Sequence, residues 1–247
     1  MRFEHAVPND LWQMDFMGHR ALDADRVHPL TLLDDHSRFA LTVTACANER
    51  QTTVKARLTT VFRHYGVPRS ILSDNGSPWG LAGRGGLTSL EAWLLQLGVE
   101  PWHGRAAHPQ TQGKVERFHG TIAAEVFAQR QFPDLAAAQT AFDRLRAIDN
   151  HDRPHEALAY AVPASRYRPS PRPFPETMPQ ITYGPEDAVR IVTVHGSIQW
   201  QRHRYFVGRG LVGHPVAVRP MPEDGRWEVY FCQRQVATID LHHRDEV

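Results

Sequence analysis

The sequence predicts an α/β core followed by a small all-β domain, and three observations support this prediction. Near the amino terminus, alternating apolar and polar residues predict a first group of strands, at 11–18, 28–35 and 39–45. Apolar residues at helical spacing then predict a helix over Gln51–Tyr65, and a short apolar run from Ser70 predicts a strand that ends at Asp74. Beyond residue 188, six short alternating runs predict a second group of strands.

The order of these elements predicts how the strands pair. The first three strands follow one another through short polar turns, which favours an antiparallel meander. The helix before the Asp74 strand makes a crossover, so that strand should run parallel to a neighbour. Parallel strands place the residues near their carboxyl ends in one crevice. We therefore expect a mixed sheet with a fifth strand at 99–102, flanked by helices that include 90–97 and 135–150.

Three acids occupy unusual positions in this pattern. Asp15 lies in the middle of the first strand, where aspartate is disfavoured, Asp74 ends a strand, and Glu116 lies in the first turns of a helix. The buried stripe of that helix is predicted at Val115, Phe118, Ile122 and Val126. Clustered carboxylates raise each other's pKa values, so such a cluster is best explained as a cation site. Mg²⁺ prefers oxygen ligands, and paired ions can stabilise both oxygens of a phosphodiester displacement.

Five motifs in chain order carry a resemblance to a known family. They are Trp12-Gln13-Met14-Asp15-Phe16, Leu33-Asp34-Asp35-His36-Ser37-Arg38, Ser73-Asp74-Asn75-Gly76, the segment His108–Arg117, and Arg153-Pro154-His155-Glu156-Ala157-Leu158. Together they resemble the integrase core of bacterial insertion-sequence transposases, which are relatives of retroviral integrases in the DDE recombinase superfamily. The resemblance runs from about Phe3 to Tyr167.

The resemblance implies an RNase H-like mixed sheet flanked by helices, as the catalytic core at residues 1–162. Seven prolines between 163 and 188 predict a semi-rigid linker. The short strands of 189–247 resemble the small SH3-like β-barrels that follow such cores, with DNA binding as the implied role. The alternative is a barrel that serves only to pack or to dimerise.

By resemblance, Asp15, Asp74 and Glu116 are the catalytic residues and the metal ligands. They would hold two Mg²⁺ ions per active site, for which Mn²⁺ substitutes, and no further cofactor is expected. The implied reaction is hydrolysis of a phosphodiester at the element's end, followed by attack of the freed 3′-hydroxyl on target DNA. Pairing two DNA ends implies a homo-oligomer of at least two chains. The 41 residues between Asp74 and Glu116 make a longer interval than is usual in the superfamily.

Candidate DNA contacts lie on the catalytic helix and in the barrel. Lys114 and Arg117 are predicted to bind DNA phosphates, with plain surface solvation as the alternative. His108 and His119 are predicted to contact DNA or to position the substrate, and Arg202 and Arg204 to bind DNA from the barrel. The net charge is only +1, but residues 101–172 carry 10 basic and 7 acidic side chains and residues 190–234 carry 7 and 3.

Two further acids are predicted to have a structural role. Asp34 and Asp35 lie beside the turn of Ser37 and Arg38. Acids in such a position usually cap the turn or pair with the arginine, so we do not expect them to bind metal.

Composition excludes several classes and leaves two alternatives open. No apolar run reaches a membrane-spanning length, no signal peptide is indicated, and the two cysteines are far apart. These features predict a cytoplasmic protein that associates with the nucleoid when it acts. Family members usually begin with helix-turn-helix domains, and this chain starts almost at the first predicted strand, so we expect end recognition to be missing from it. The alternatives are a catalytically inactive, transposase-derived DNA-binding or assembly protein, and a metal-dependent nuclease of the same fold.

Overall fold

The computed structural model describes residues 4–74, 76–80, 86–104, 113–128 and 130–242. Its contacts divide the chain into two compact units, of which the first is 1–74 with 99–174 and the second is 75–98 with 175–247. This division differs from the predicted boundaries at 162 and 188, because residues 163–174 fold with the first unit and 75–98 with the second.

The elements lie close to their predicted positions. The strands are β1 (Leu11–Phe16), β2 (Arg20–Ala21), β3 (Arg26–Asp34), β4 (Ala40–Cys46), β5 (Ser70–Ser73), β6 (Glu100–His103), β7 (Ala188–Ile191), β8 (Ser197–Trp200), β9 (His203–Phe206), β10 (Pro215–Pro220), β11 (Arg226–Phe231) and β12 (Arg234–Asp240). The helices are α1 (Gln51–Tyr65), α2 (Ser89–Gln96), α3 (Gly113–Ile122), α4 (Leu135–His151) and α5 (Pro163–Arg166). Within the described ranges, no helix is both long enough and apolar enough to cross a membrane.

The first unit contains a mixed sheet, as predicted. Strand β1 pairs antiparallel with β3 and parallel with β5, which in turn pairs parallel with β6. Strand β3 also pairs antiparallel with β2 and with β4. The antiparallel meander and the parallel strand after the α1 crossover are therefore both confirmed.

Helices cover both faces of this sheet. On one face, Trp12 of β1 contacts Phe62 of α1, with ring centroids 5.9 Å apart. The apolar core on the other face includes residues of β3, β4, α3 and α4, among them Leu33, Val43, Val115, Phe118, Ile122, Phe142 and Leu145. The period-2 pattern predicted that one face of β1 is buried, which was wrong, because Leu11–Met14 are all buried in a sheet covered on both sides.

Helix α3 continues into a π-helical segment, Ala123–Phe127. The buried stripe predicted for this helix is confirmed at Val115, Phe118, Ile122 and Val126. Glu116 is exposed on a different face. The sequence did not predict the change to π geometry, which often accompanies functional sites.

The start of the predicted linker packs onto the first unit. Tyr167 stacks on Phe39, with ring centroids 4.4 Å apart. Gly66 ends α1 at a φ of +78°, and a Cβ at this position would lie 2.6 Å from the carbonyl oxygen of Ser170. A glycine is therefore required where this segment crosses the end of α1.

The second unit is a small β structure, as predicted. Strands β12, β11, β10 and β7 form an antiparallel sheet in that order, and β8 with β9 forms a two-stranded ribbon. Leu87, Ala92 and Leu95 share an apolar cluster with residues of these strands, including Ile198, Val216, Val218, Val229, Phe231 and Ile239. Ala92 and Leu95 of α2 therefore pack with the second unit, a grouping that the sequence did not predict.

Candidate active site

The register of β1 and β5 brings two of the predicted acids level with each other. Leu11 pairs with Ser70 and Gln13 with Leu72. Continuing the same register by two residues places Asp15 level with Asp74, which follows β5 directly. Side chains at the same level of parallel strands project to the same face, so these two acids share one face of the sheet.

Contacts of β1 identify that face as the one covered by α3. Gln13 Nε2 donates to Asp35 Oδ1 at 2.6 Å, and the same carboxylate binds the ammonium of Lys114 at the start of α3. Since side chains alternate along a strand, Asp15 lies on the same face as Gln13. Glu116 of α3 is exposed and near enough to act electrostatically on Asp15. Asp15 and Asp74 thus share one face of the sheet, and Glu116 lies on the helix that covers this face.

The electrostatics of Asp15 show that these acids interact. Burial and, after it, the negative charge of Asp74 raise the pKa of Asp15 to about 7, with smaller contributions from Glu116 and Glu49. A hydrogen bond from the Phe16 backbone N–H opposes these effects. Burial of a carboxyl beside other acids is the expected cause of such a shift.

The carboxylates of Asp15, Asp74 and Glu116 fit a divalent cation in ligand type and in charge. Carboxylate oxygens are the ligands that Mg²⁺ and Mn²⁺ prefer, and a bound cation would offset the mutual repulsion of the acids. In the described ranges, however, no three His, Cys, Asp or Glu side chains are arranged around one ion position. The assignment of Asp15, Asp74 and Glu116 as metal ligands therefore stays a prediction.

Comparisons with known proteins agree with this architecture. Residues 5–109 and 97–163 match two family models that are both described as integrase core domain, and 187–247 match the C-terminal domain of IS481 family transposases. The chain belongs to the insertion-sequence transposases with an integrase core. Its two matched parts lie in the same order as the predicted core and β domain.

The chain resembles curated insertion-element proteins over part of their length. It is 27% identical over 158 residues to the "Insertion element IS407 uncharacterized 31.7 kDa protein" of Burkholderia multivorans, a match that covers 64% of this chain and 55% of the relative. It is 28% identical over 159 residues to the "Insertion element IS476 uncharacterized 39.2 kDa protein" of Xanthomonas euvesicatoria, covering 64% and 44%. The chain thus spans about half the length of these relatives.

The fold is also found among solved retroviral structures. A chain in the cryo-EM structure of the simian T-cell lymphotropic virus intasome, solved with PP2A regulatory subunit B56 gamma, aligns with a TM-score of 0.54 and 18% sequence identity. The alignment covers 98% of the transposase chain and 82% of that chain. The RNase H-like core with a following SH3-like β domain is therefore the fold of this chain.

Two residues beside the acids were missed by sequence reasoning. His103 Nδ1 donates to the carbonyl oxygen of Asp74 at 2.9 Å, which holds the backbone where β5 ends. Glu49 adds to the negative charge felt by Asp15 and lies 2.9 Å from His28 Nδ1. His103 ends a strand parallel to β5, so the rule that parallel strand ends share one crevice could have found it. We find no comparable sequence signal for Glu49.

Asp34 and Asp35 have the structural role that was predicted for them. Asp34 accepts hydrogen bonds from the backbone N–H of Asn9 at 2.7 Å and from the backbone N–H and hydroxyl of Ser37 at 2.8 and 2.6 Å. It therefore caps the turn. Asp35 pairs with Lys114, whereas Arg38 donates to its backbone carbonyl oxygen at 3.1 Å.

Lys114 forms an ion pair inside the protein. Its side chain is 13% exposed, while that of its partner Asp35 is fully buried. Burial lowers the pKa of Lys114, and the hydrogen bond and charge of Asp35 oppose this effect. This internal ion pair joins α3 to the end of β3, and the sequence could not reveal it across 79 positions. The phosphate contact of Lys114 stays a prediction.

His119 is also engaged inside the protein. Its Nε2 lies 2.8 Å from the hydroxyl oxygen of Thr31. Burial, followed by the charge of Arg20, lowers the pKa of His119 to about 4, so the ring is neutral near pH 7. The role predicted for His119, in DNA contact or in positioning the substrate, stays a prediction.

The structure describes three of the four other predicted DNA contacts. Arg117 is exposed and lines a cavity of about 590 Å³ on a face of α3 turned away from Glu116. Arg202, at the tip of the β8–β9 ribbon with a φ of +70°, and Arg204 of β9 are both exposed. His108 lies outside the described residues. All four stay predictions as DNA contacts.

Proposed function

We propose that this transposase cleaves DNA in a divalent-metal-dependent reaction and transfers the freed 3′ end to target DNA, with Asp15, Asp74 and Glu116 as catalytic metal ligands of the DDE type. One observation supports this most strongly: Asp15 is level with Asp74 in the register of two parallel strands, and the charge of Glu116 contributes to the raised pKa of Asp15. In this proposal a sheet strand, a strand end and a helix each supply one acid to the same metal site.

Each acid is held by a different part of the fold. Asp15 is fixed between β3 and β5, so its position is as rigid as the centre of the sheet. The backbone of Asp74 is held by His103, and Glu116 is held through the packing of α3. Two Mg²⁺ ions, for which Mn²⁺ substitutes, would stabilise the attacking and leaving oxygens of the phosphodiester. No covalent link between protein and DNA is needed in this proposal.

DNA and a second copy of the chain are the proposed partners. The exposed arginines Arg117, Arg202 and Arg204 are the side chains that we propose to bind phosphates. Joining two element ends to one target requires two active sites, so the working form is a homo-oligomer of at least two chains. Chromosomal DNA as substrate places the proposed action in the cytoplasm, at the nucleoid.

A strand-transfer assay with the full chain tests the proposal. Labelled short duplex DNA and supercoiled plasmid are incubated with Mn²⁺ and wild type, Asp15→Asn or the control Asp25→Asn. Asp25 is an exposed acid near β3, so its substitution removes the same charge outside the site. We expect Asp15→Asn to reduce product about a thousandfold, because it removes several kcal/mol of transition-state stabilisation. The control should retain wild-type activity.

The products distinguish the alternatives. Joined strands support a transposase, whereas nicks without joining indicate a nuclease of the same fold. DNA binding by the wild type without any cleavage would favour an inactive assembly protein. Cleavage that survives Asp15→Asn contradicts the assignment of the three acids.

A further inference from the structure

Two hydrogen bonds in series join the helix of Glu116 to the backbone of Asp15. His119 Nε2 lies 2.8 Å from Thr31 Oγ1, and Thr31 Oγ1 donates to the carbonyl oxygen of Asp15 at 3.1 Å. Thr31 lies opposite Asp15 in the β1–β3 register and is fully buried. The connection therefore runs through the interior, beside the strand that carries the first acid.

The direction of each hydrogen bond follows from the available protons. A carbonyl oxygen only accepts, so the single hydroxyl proton of Thr31 goes to Asp15. The Thr31 oxygen must then accept from His119, whose Nε2 carries the ring proton. Both bonds are satisfied by one arrangement of protons, with Nδ1 of His119 left as the acceptor of the ring.

The hydrogen bond between His119 and Thr31 acts on the part of α3 that carries Glu116. His119 follows Glu116 by three residues, and side chains with this spacing are neighbours on a helix. Two other contacts hold the same helix at other points: Lys114 binds Asp35 near its start, and Arg153 binds Glu125 in the π-helical segment at 2.7 and 2.6 Å. The His119 contact differs from these because it ends on Asp15 itself.

We propose that His119 and Thr31 are positioning residues that set the distance between Glu116 and Asp15, and through it the affinity of the site for a divalent cation. This inference rests on the proposed function, since it applies only if the two acids share an ion. Hydrogen bonds restrict both distance and direction, which apolar contacts do less well. Groups that orient metal ligands without touching the metal typically change metal affinity by 10- to 100-fold.

Mn²⁺ binding by the full chain without DNA, measured by electron paramagnetic resonance, tests this role without an activity assay. Thr31→Val keeps the side-chain volume but removes the hydroxyl, and we expect it to weaken Mn²⁺ binding by about tenfold. Thr31→Ser keeps the hydroxyl and should restore binding close to the wild-type value.

The control substitution is Thr44→Val in the same sheet. The Thr44 hydroxyl is hydrogen-bonded to that of Thr42 at 2.7 Å on β4, away from the acids, so its loss should leave Mn²⁺ binding unchanged. If Thr31→Val fails to fold, His119→Leu and His119→Gln replace the first pair. Glutamine offers an N–H donor at similar reach, so the His119→Gln variant should bind Mn²⁺ more tightly than the His119→Leu variant.

Each outcome separates this inference from the function on which it rests. Equal Mn²⁺ affinity in Thr31→Val and Thr31→Ser, or in the two His119 variants, overturns the positioning role. If Asp15→Asn still abolishes Mn²⁺ binding in that case, the proposed metal site stands. Wild-type Mn²⁺ binding by Asp15→Asn overturns both.

Discussion

Two groups of acids in the first unit differ in what surrounds them. Asp34 and Asp35 are almost fully buried, and hydrogen-bond donors meet both carboxylates. Asp15 is less buried, and the charges that shift its pKa are those of Asp74, Glu116 and Glu49, all of the same sign. Burial of an acid is therefore a poor sign of function in this protein. Unmatched negative charge is the better sign, because a folded protein has no structural reason to keep it.

The comparison also explains which group stabilises the fold. Asp35 accepts from the His5 backbone N–H at 2.8 Å and from Gln13 Nε2 at 2.6 Å, and it pairs with Lys114. Removing one member of such a buried pair leaves the other charge without compensation, which is strongly destabilising. Asp15 has no equivalent cationic partner among the groups that shift its pKa, so its negative charge opposes folding in the absence of metal.

The largest effect is expected for Asp35→Asn. The substitution leaves the buried ammonium of Lys114 without its counter-charge, and we expect the free energy of unfolding to fall by about 3 to 5 kcal/mol. Urea denaturation at neutral pH measures this change. Asp25→Asn removes an exposed acid from the same unit and should change the free energy of unfolding by less than about 0.5 kcal/mol. A loss below about 1 kcal/mol for Asp35→Asn would mean that the ion pair does not hold α3 in place.

Sequence reasoning predicted that Asp15 and Asp74 lie together, but it did not predict that Lys114 pairs with Asp35. Asp15 and Asp74 were predicted to lie together because strand periodicity and the α1 crossover are local patterns that fix which strands are neighbours. Lys114 and Asp35 are 79 positions apart, and no periodic pattern relates them. A lysine beside Glu116 therefore seemed to be a DNA contact, and its internal pairing emerged only from the fold.

The grouping of the chain into units was missed for the same reason. Residues 75–98 follow the Asp74 strand directly, so the sequence suggested that they flank the catalytic sheet. Their apolar side chains Leu87, Ala92 and Leu95 instead pack with strands more than 90 residues later in the chain. Amphipathicity predicts that a helix buries one face, but it does not say against which partner.

A smaller effect of opposite sign is expected for Asp15→Asn without metal. The Asp15 carboxyl has an ordinary pKa of 3.8 when unfolded and about 7 when folded. Between these values the folded state binds more protons, so this group lowers the free energy of unfolding as pH rises from about 4 to 7. Each pKa unit corresponds to about 1.4 kcal/mol. Because water reaches part of this carboxyl, we expect Asp15→Asn to gain only about 1 to 2 kcal/mol near pH 8 and nothing near pH 4.

Thermal unfolding across this pH range, with and without Mg²⁺, measures the difference between wild type and Asp15→Asn. Mg²⁺ should stabilise the wild type at pH 8 and leave Asp15→Asn unchanged, since a bound ion replaces repulsion with attraction. A variant that is less stable than wild type at pH 8 would place Asp15 with the structural acids instead.

The smallest effect on stability is expected for Arg204→Ala, which contrasts an exposed cation with the buried Lys114. Arg204 is exposed on the β8–β9 ribbon, so its removal should change the free energy of unfolding by less than about 0.5 kcal/mol. If it binds a DNA phosphate, the slope of log binding constant against log salt concentration should decrease by about 1. Fluorescence anisotropy with a short duplex at several salt concentrations measures that slope.

A point substitution tests this better than removal of the β domain. Deleting 189–247 would expose Leu87, Ala92 and Leu95, which share its apolar core, so weaker DNA binding could follow from misfolding alone. Gln199→Ala is the matched control, because Gln199 pairs with Arg204 across the ribbon, is exposed and carries no charge. An unchanged salt slope in Arg204→Ala, equal to that of Gln199→Ala, would remove this arginine from the proposed DNA contacts.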